Sequence, residues 1–245
     1  MRERERWASL VSGGGTTMQK MIRECQSGGL PIDIACVISS NPTAGAINKA
    51  MDLGIPSHDV VVVDPRDFRN NEGGMDQEEF GFRIVEVLRE HGATVVTQNG
   101  WLPLTPEVVI REFSDCIYNQ HPGPVPDFGG EGMYGIRVHA AVLLFNWLVR
   151  RKKPWTEVIA QRVHPEFDQG CVVRSERIII PKGETVATLQ ERALPIEHGV
   201  QTGLLYDIAN GTIREETNRE RVVRPGEEPM LATARRLARL LYPHG

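Results

Sequence analysis

Apolar residues fall along this chain in brief runs, separated by longer stretches where they recur at helical spacing. "WASLV" (Trp7–Val11), "IDIACVISS" (Ile32–Ser40), "HDVVVVD" (His58–Asp64), "ATVVTQN" (Ala93–Asn99) and "DCIYNQH" (Asp115–His121) have the length and apolar content of buried strands. Between them Met18, Met21, Ile22 and Cys25 repeat at helical spacing, and Ala44–Leu53 reads as a helix closed by Gly54 and Pro56. Met75–Glu90 directs Phe80, Ile84, Val87 and Leu88 to one side, and Pro106–Phe113 reads as a short helix. Strands alternating with helices predict an α/β fold with a doubly wound, parallel sheet.

After Gly135 the texture changes. "IRVHAAVLLFNWLVRR" reads as a helix, and "TEVIAQRV" and "CVVRSERIII" read as strands joined by "HPEFDQG", a hairpin loop. Thr185–Ala209 reads as a long helix, and "LATARRLARLL" as an amphipathic one after an Arg-rich stretch. No internal repeat or low-complexity segment interrupts the pattern. The 245 residues, 40% hydrophobic, suit one large domain or one domain with an appendage.

Charge narrows the classes. A net charge of −4 exerts no global pull on nucleic acid or on an anionic membrane. No stretch reaches the ~18 apolar residues of a membrane span, and the apolar run in "MRERERWASLV" is too short for a signal peptide. Cys25, Cys36, Cys116 and Cys171 form no CxxC pair and no zinc pattern, so they read as reduced core thiols of a cytoplasmic protein. The run Arg150–Lys153 reads as a solvated helix end.

Four places carry candidate chemistry. "SGGGTT" lies between a strand and a helix, where glycines permit close backbone approach and a helix N-terminus suits a phosphate; a tight turn explains it equally. Asn119 and His121 stand at i and i+2 at the C-terminal end of a strand, so both face one way. An amide and an imidazole there suit oxyanion stabilisation and proton movement, with Pro122, Pro124 and Pro126 stiffening the exit; turn capping is the plainer reading. Asp168 in the hairpin loop, and Glu197 and His198 in mid-helix, read by themselves as a turn residue and a solvated helical face.

Taken in order, "LVSGGGTTMQKMI", "VISSNPTAGAINKAMDLGIP", "NQHPGPVPDFGG", "DQGCVV" and "LQERALPIEHGV" resemble the folate-dependent formyltransferases over about residues 7–215. The resemblance implies a Rossmann-like formyltransferase fold: a mostly parallel twisted sheet flanked by helices, with a C-terminal antiparallel hairpin and an added terminal helix. It implies a formyltransferase domain at 1–215 and an extension at 216–245 packing on that domain. It also implies 10-formyltetrahydrofolate as donor, no metal, and, within the purine-biosynthetic branch, glycinamide ribonucleotide as acceptor. By the same match Asn119, His121 and Asp168 are catalytic. Gly13, Gly14, Gly15, Thr16 and Thr17 hold the substrate phosphate, Glu197 meets its amine, and Trp101, Leu102, Pro103 and Leu104 line the folate pocket. Partners are then small molecules, with neither nucleic acid nor membrane, and a homodimer is left open.

Those residue types fit amine formylation. An oxyanion develops on the formyl carbon, which Asn119 and a protonated His121 can stabilise, while the attacking nitrogen sheds a proton that Asp168 can accept. The chain departs from the family at Gly14 and Thr16-Thr17, at Gln98–Trp101, at "GPVP" after His121-Pro122, and at Gln161, where a histidine is common. A different amine, such as an amino sugar, and a non-catalytic folate-binding homologue therefore stay open as alternatives.

Overall fold

The computed structural model describes residues 4–70 and 72–245, and the chain divides into two units. The first three residues of the charged N-terminal run lie outside the described residues. The first unit takes the chain up to Gln120, with Arg162–Pro165 and Gln201–Ile213. The second takes His121–Gln161, Glu166–Val200 and Arg214–Gly245.

The first unit is built from β1 (Arg6–Val11), α1 (Thr16–Gln26), β2 (Asp33–Ser39), α2 (Gly45–Asp52), β3 (Val60–Val62), α3 (Gln77–Glu90), β4 (Val95–Gln98), α4 (Glu107–Glu112) and β5, which begins at Ile117 and ends at His121. All its strand pairs are parallel: β1 with β2 and β4, β2 with β3, and β4 with β5. The order is therefore β3-β2-β1-β4-β5. Chain direction across the sheet reverses at β1, which lies between β2 and β4; in open α/β sheets ligands bind beyond the strand ends at such a point. Leu10, Ile38, Val96 and Ile117 from the strands pack with Phe80, Ile84, Val87 and Leu88 from α3, all buried. Asp76 caps α3 by accepting from the backbone N–H groups of Glu78 and Glu79.

The second unit holds α5 (Ile136–Leu148), β6 (Trp155–Arg162), β7 (Val172–Ile179), most of α6 (Val186–Asn210) and α7 (Glu228–Leu241). β6 and β7 pair antiparallel, Trp155 opposite Ile179 and Val158 opposite Glu176. α5 packs on α7. Arginines tie the C-terminal stretch down, through neutral oxygens around α7 and through carboxylates before it, where Arg219 pairs with Glu157 and Arg177 with Glu220. Arg235 donates to the carbonyls of Asp127 and Gly129, Arg239 to that of Glu131, and Arg137 to those of Tyr242 and Pro243. Arg151 donates to the Val222 carbonyl and pairs with Glu227, and Arg221 pairs with buried Asp127.

Four expectations change. The strand expected at His58–Asp64 shrinks to Val60–Val62, because Ser57–Asp59 forms a 3₁₀ turn and Asp64 caps the next one by accepting from Arg66 N. Only Cys36 is a core thiol; Cys25 is half-buried, and Cys116 and Cys171 are exposed because they lie just before β5 and β7 rather than within them. The run Arg150–Lys153 is not simply solvated, since Arg151 anchors the C-terminal segment. Glu197 is buried rather than on a wet face: it falls on the inward stripe of α6 with Leu189, Ala193, Val200 and Leu204.

Candidate active site

The loop after β1 opens helix α1 with Gly15 as N-cap, at φ +66° and without a side-chain capping bond. Gly15 is required there twice over, since a Cβ would also meet Ala46 Cβ at 2.5 Å. Gly13 and Gly14 are different. Both are exposed, and a Cβ on Gly13 would meet nothing within 4 Å. Thr16 is exposed and Thr17 buried, so only the first hydroxyl is offered at the helix mouth. Lys49 Nζ donates to the Gly14 carbonyl at 2.7 Å and brings a cation to the loop. Free N–H groups, the positive end of the helix dipole and an ammonium group suit an anion. Nothing local in the sequence links Lys49 to this loop, because the contact spans 35 residues.

Ser12 joins this loop to the segment leaving β4. Its backbone N–H donates to the Gly100 carbonyl, and its Oγ accepts from Leu102 N, both at 2.9 Å. Trp101 is buried and stacked on Phe80 at 6.1 Å between centroids, whereas Leu102 is 50% exposed, with Pro103 and Leu104 partly so. The unexpected Gln98-Asn99 pair has a physical role. Gln98 donates to Thr105 Oγ1, and Asn99 sits at the centre of a buried network. Trp7 Nε1 donates to Thr97 Oγ1, Thr97 and Ser9 both donate to Asn99 Oδ1, and Asn99 Nδ2 donates to Gln120 Oε1. This holds Gln120 on one face of β5, and strand alternation leaves Asn119 and His121 on the other.

In the second unit, His121 and Asp168 meet. His121 Nδ1 lies 3.5 Å from Asp168 Oδ1, with the two side chains 4% and 7% exposed. His121 Nε2 faces the Phe128 carbonyl at 3.2 Å, so both ring nitrogens look onto acceptors. Asp168 Oδ1 accepts from Gln161 Nε2 at 2.8 Å, and Oδ2 accepts from Gly130 N at 2.9 Å. Asp168 itself has φ +58°, a conformation that L-residues adopt at a cost and that aspartate tolerates better than most. It is thus more than a solvated turn residue. Gly129 leaves it room, since a Cβ there would lie 2.4 Å from Asp168 Cβ. Gly123, in the atypical "GPVP", is explained likewise: a Cβ would lie 2.4 Å from Val138 Cγ1.

His139 on α5 is buried, its Nδ1 without a hydrogen-bond partner; burial, and then the nearby His121, push its pKa down to about 4. Among the described residues no group of three or more His, Cys, Asp and Glu side chains is placed to hold a metal ion. No described helix is long and apolar enough to cross a membrane.

The first unit is thus a parallel α/β sheet with a glycine-rich βα loop, and the second holds a buried imidazole–carboxylate pair. The chain belongs to the formyl transferase family, whose sequence profile matches residues 5–202. The chain is 32% identical over 213 residues to the chloroplastic phosphoribosylglycinamide formyltransferase of Arabidopsis thaliana, covering 87% of this chain and 66% of that protein. To the counterpart from Vigna unguiculata it is 28% identical over 195 residues, covering 80% of this chain and 58% of the other. The chain thus spans just under two thirds, or less, of these relatives' length. In fold it resembles the crystal structure of glycinamide ribonucleotide transformylase 1 from Symbiobacterium toebii, with a TM-score of 0.73 at 23% identity, covering 91% of this chain and 96% of that one.

Proposed function

We propose that this chain transfers the formyl group of 10-formyltetrahydrofolate to the amine of glycinamide ribonucleotide, a step in purine biosynthesis. The observation that carries the reading is the buried His121–Asp168 pair, with Asp168 held by Gln161 and Gly130 N. The name of the Arabidopsis relative supports the choice of acceptor.

The reaction joins the acceptor nitrogen to the formyl carbon and breaks the bond from that carbon to N10 of the folate. The acceptor nitrogen loses one proton and N10 gains one. In this reading Asn119 donates a hydrogen bond to the formyl oxygen as it becomes an oxyanion, and the charge of a protonated His121 steadies it. Asp168 accepts the proton from the attacking nitrogen, directly or through water. Gly13, Gly14, Gly15 and Thr16 bind the ribose phosphate at the start of α1, with Lys49 as counter-charge. Buried Thr17 serves the packing of α1 instead. Glu197 meets the acceptor's amine. Exposed Leu102 offers an apolar surface to a flat pterin ring, and the backbone of Trp101–Leu104 offers its edge hydrogen-bonding groups. The four free thiols fit a reducing compartment, and we place the chain in the cytoplasm, unlike the two chloroplastic relatives.

The test is an assay of purified protein with 10-formyltetrahydrofolate and a panel of amines. Turnover of glycinamide ribonucleotide is the expected result. Turnover of an amino sugar alone, or folate binding with no turnover of any amine, overturns it.

A further inference from the structure

The peptide linking Gly129 to Gly130 has a cation on one side and a carboxylate on the other. Its oxygen, Gly129 O, accepts from Arg235 Nη2 at 2.7 Å, and its N–H, on Gly130, donates to Asp168 Oδ2 at 2.9 Å. Both flanking residues are glycine, and neither could carry a side chain without intruding. A Cβ on Gly129 would lie 2.9 Å from Asp168 Oδ2, and one on Gly130, at φ +93°, would lie 3.1 Å from Arg235 Nη2. One bare peptide group therefore connects a guanidinium to the carboxylate.

We propose that Arg235, from α7 and beyond the stretch matched by the family profile, is a positioning residue for Asp168, acting through the Gly129–Gly130 peptide. The proposal rests on the catalytic reading of Asp168. Arg235 fixes the rotation of the peptide, and so the direction of the N–H that holds Oδ2. It also draws electron density toward the carbonyl oxygen, which strengthens that N–H as a donor; hydrogen bonds in such chains reinforce one another. The titratable and charged groups around this relay are His121 beside Asp168, Asp127 in the loop with its sequence-distant partner Arg221, Arg239 one turn further along α7, and His139 on α5, near His121. Arg239 donates to the Glu131 carbonyl at 2.8 Å. It ties α7 to the same loop without touching the relay peptide, which makes it the natural control.

The experiment compares Arg235→Ala, Arg235→Lys, Arg239→Ala and Asp168→Asn in the full chain, with 10-formyltetrahydrofolate and glycinamide ribonucleotide as substrates. Misorienting a catalytic group can cost up to about 100-fold, and that is the scale of kcat loss expected for Arg235→Ala, with both KM values little changed. The acid limb of its kcat profile moves to higher pH, because the carboxylate loses stabilisation of its anion. Arg235→Lys recovers part of the rate. The Gly130 amide resonance shifts and its hydrogen exchange quickens in Arg235→Ala, but not in Arg239→Ala. Should Arg235→Ala fail to fold, Arg235→Gln, which retains a donor and loses the charge, carries the same comparison. An unaltered pH profile in the Arg235 variants, or an equal change in Arg239→Ala, overturns the proposal. Normal turnover by Asp168→Asn overturns the catalytic reading instead, and the Gly130 resonance then still decides whether Arg235 holds the peptide.

Discussion

Gln161 donates from Nε2 to Oδ1 of Asp168 while its own Oε1 is buried without a partner. That unused acceptor makes Asp168→Asn a clean substitution. The new amide can donate to Oε1 once the glutamine amide turns over, and its oxygen can still accept from Gly130 N. Asparagine is also at ease at φ +58°. Stability should change by no more than about 1 kcal/mol, while kcat falls by several orders of magnitude. Thermal melting beside kcat checks this; normal turnover with a lowered midpoint would mean that Asp168 is only a turn residue.

Asn119→Ala and His121→Ala should act on the transition state. Loss of one oxyanion-stabilising group typically lowers kcat by about 10²–10³, and substrate binding should weaken far less. Steady-state kinetics with separate KM values decide the point. A variant with near-normal kcat removes its residue from the catalytic group.

The three loop glycines should separate by role. Gly15→Ala forces a left-handed residue against Ala46, so it should destabilise the chain by about 1–3 kcal/mol and raise the acceptor KM. Bulky substitution at exposed Gly14 should leave the melting temperature alone and raise the acceptor KM, with folate affinity retained. Equal loss of both affinities would show that the loop is merely structural.

His139 sets a pH dependence of stability. Its folded pKa is pushed from an ordinary 6.5 to about 4, so between those values the unfolded chain binds a proton that the folded chain refuses. Stability is therefore fullest above pH 6.5 and is lost as pH falls toward 4, by about 3 kcal/mol in all. His139→Gln should lower the difference in urea-derived stability between pH 7.5 and pH 4.5. An undiminished difference assigns the acid sensitivity to other groups.

Local pattern carried the parallel half of the fold well, because its strands are short apolar runs and helices such as α3 have one wet face. It exaggerated the strand at His58–Asp64, where a valine run hides two turns made by Pro56, Asp64 and Pro65. α5 was legible from its length and apolar content alone, since its apolar residues do not keep to one side. At the site, Asn119 and His121 could be paired from strand alternation. Asp168 could be reached only through resemblance, because a lone aspartate in a hairpin loop has no local signature. Lys49 and Arg235 act across 35 and 106 residues, on backbone oxygens that no side-chain pattern marks. Glu197 was misjudged locally because a charged residue reads as wet, although its place at the fourth residue after Ala193 puts it on the inner stripe.

The arginines that fasten α7 and the tail after it, Arg235, Arg239 and Arg137, bond to carbonyl oxygens, which carry no net charge. Ionic strength weakens attraction between opposite charges but leaves a guanidinium–carbonyl bond largely intact. Sodium chloride should therefore leave α7 in place. Guanidinium chloride is another matter, since its cation is the same planar group and competes for the same oxygens. Low concentrations should free the last turns of the chain before the sheet melts, so that a probe near Tyr242 reports an early transition absent in urea. Buffers for storing and assaying this protein should therefore exclude guanidinium.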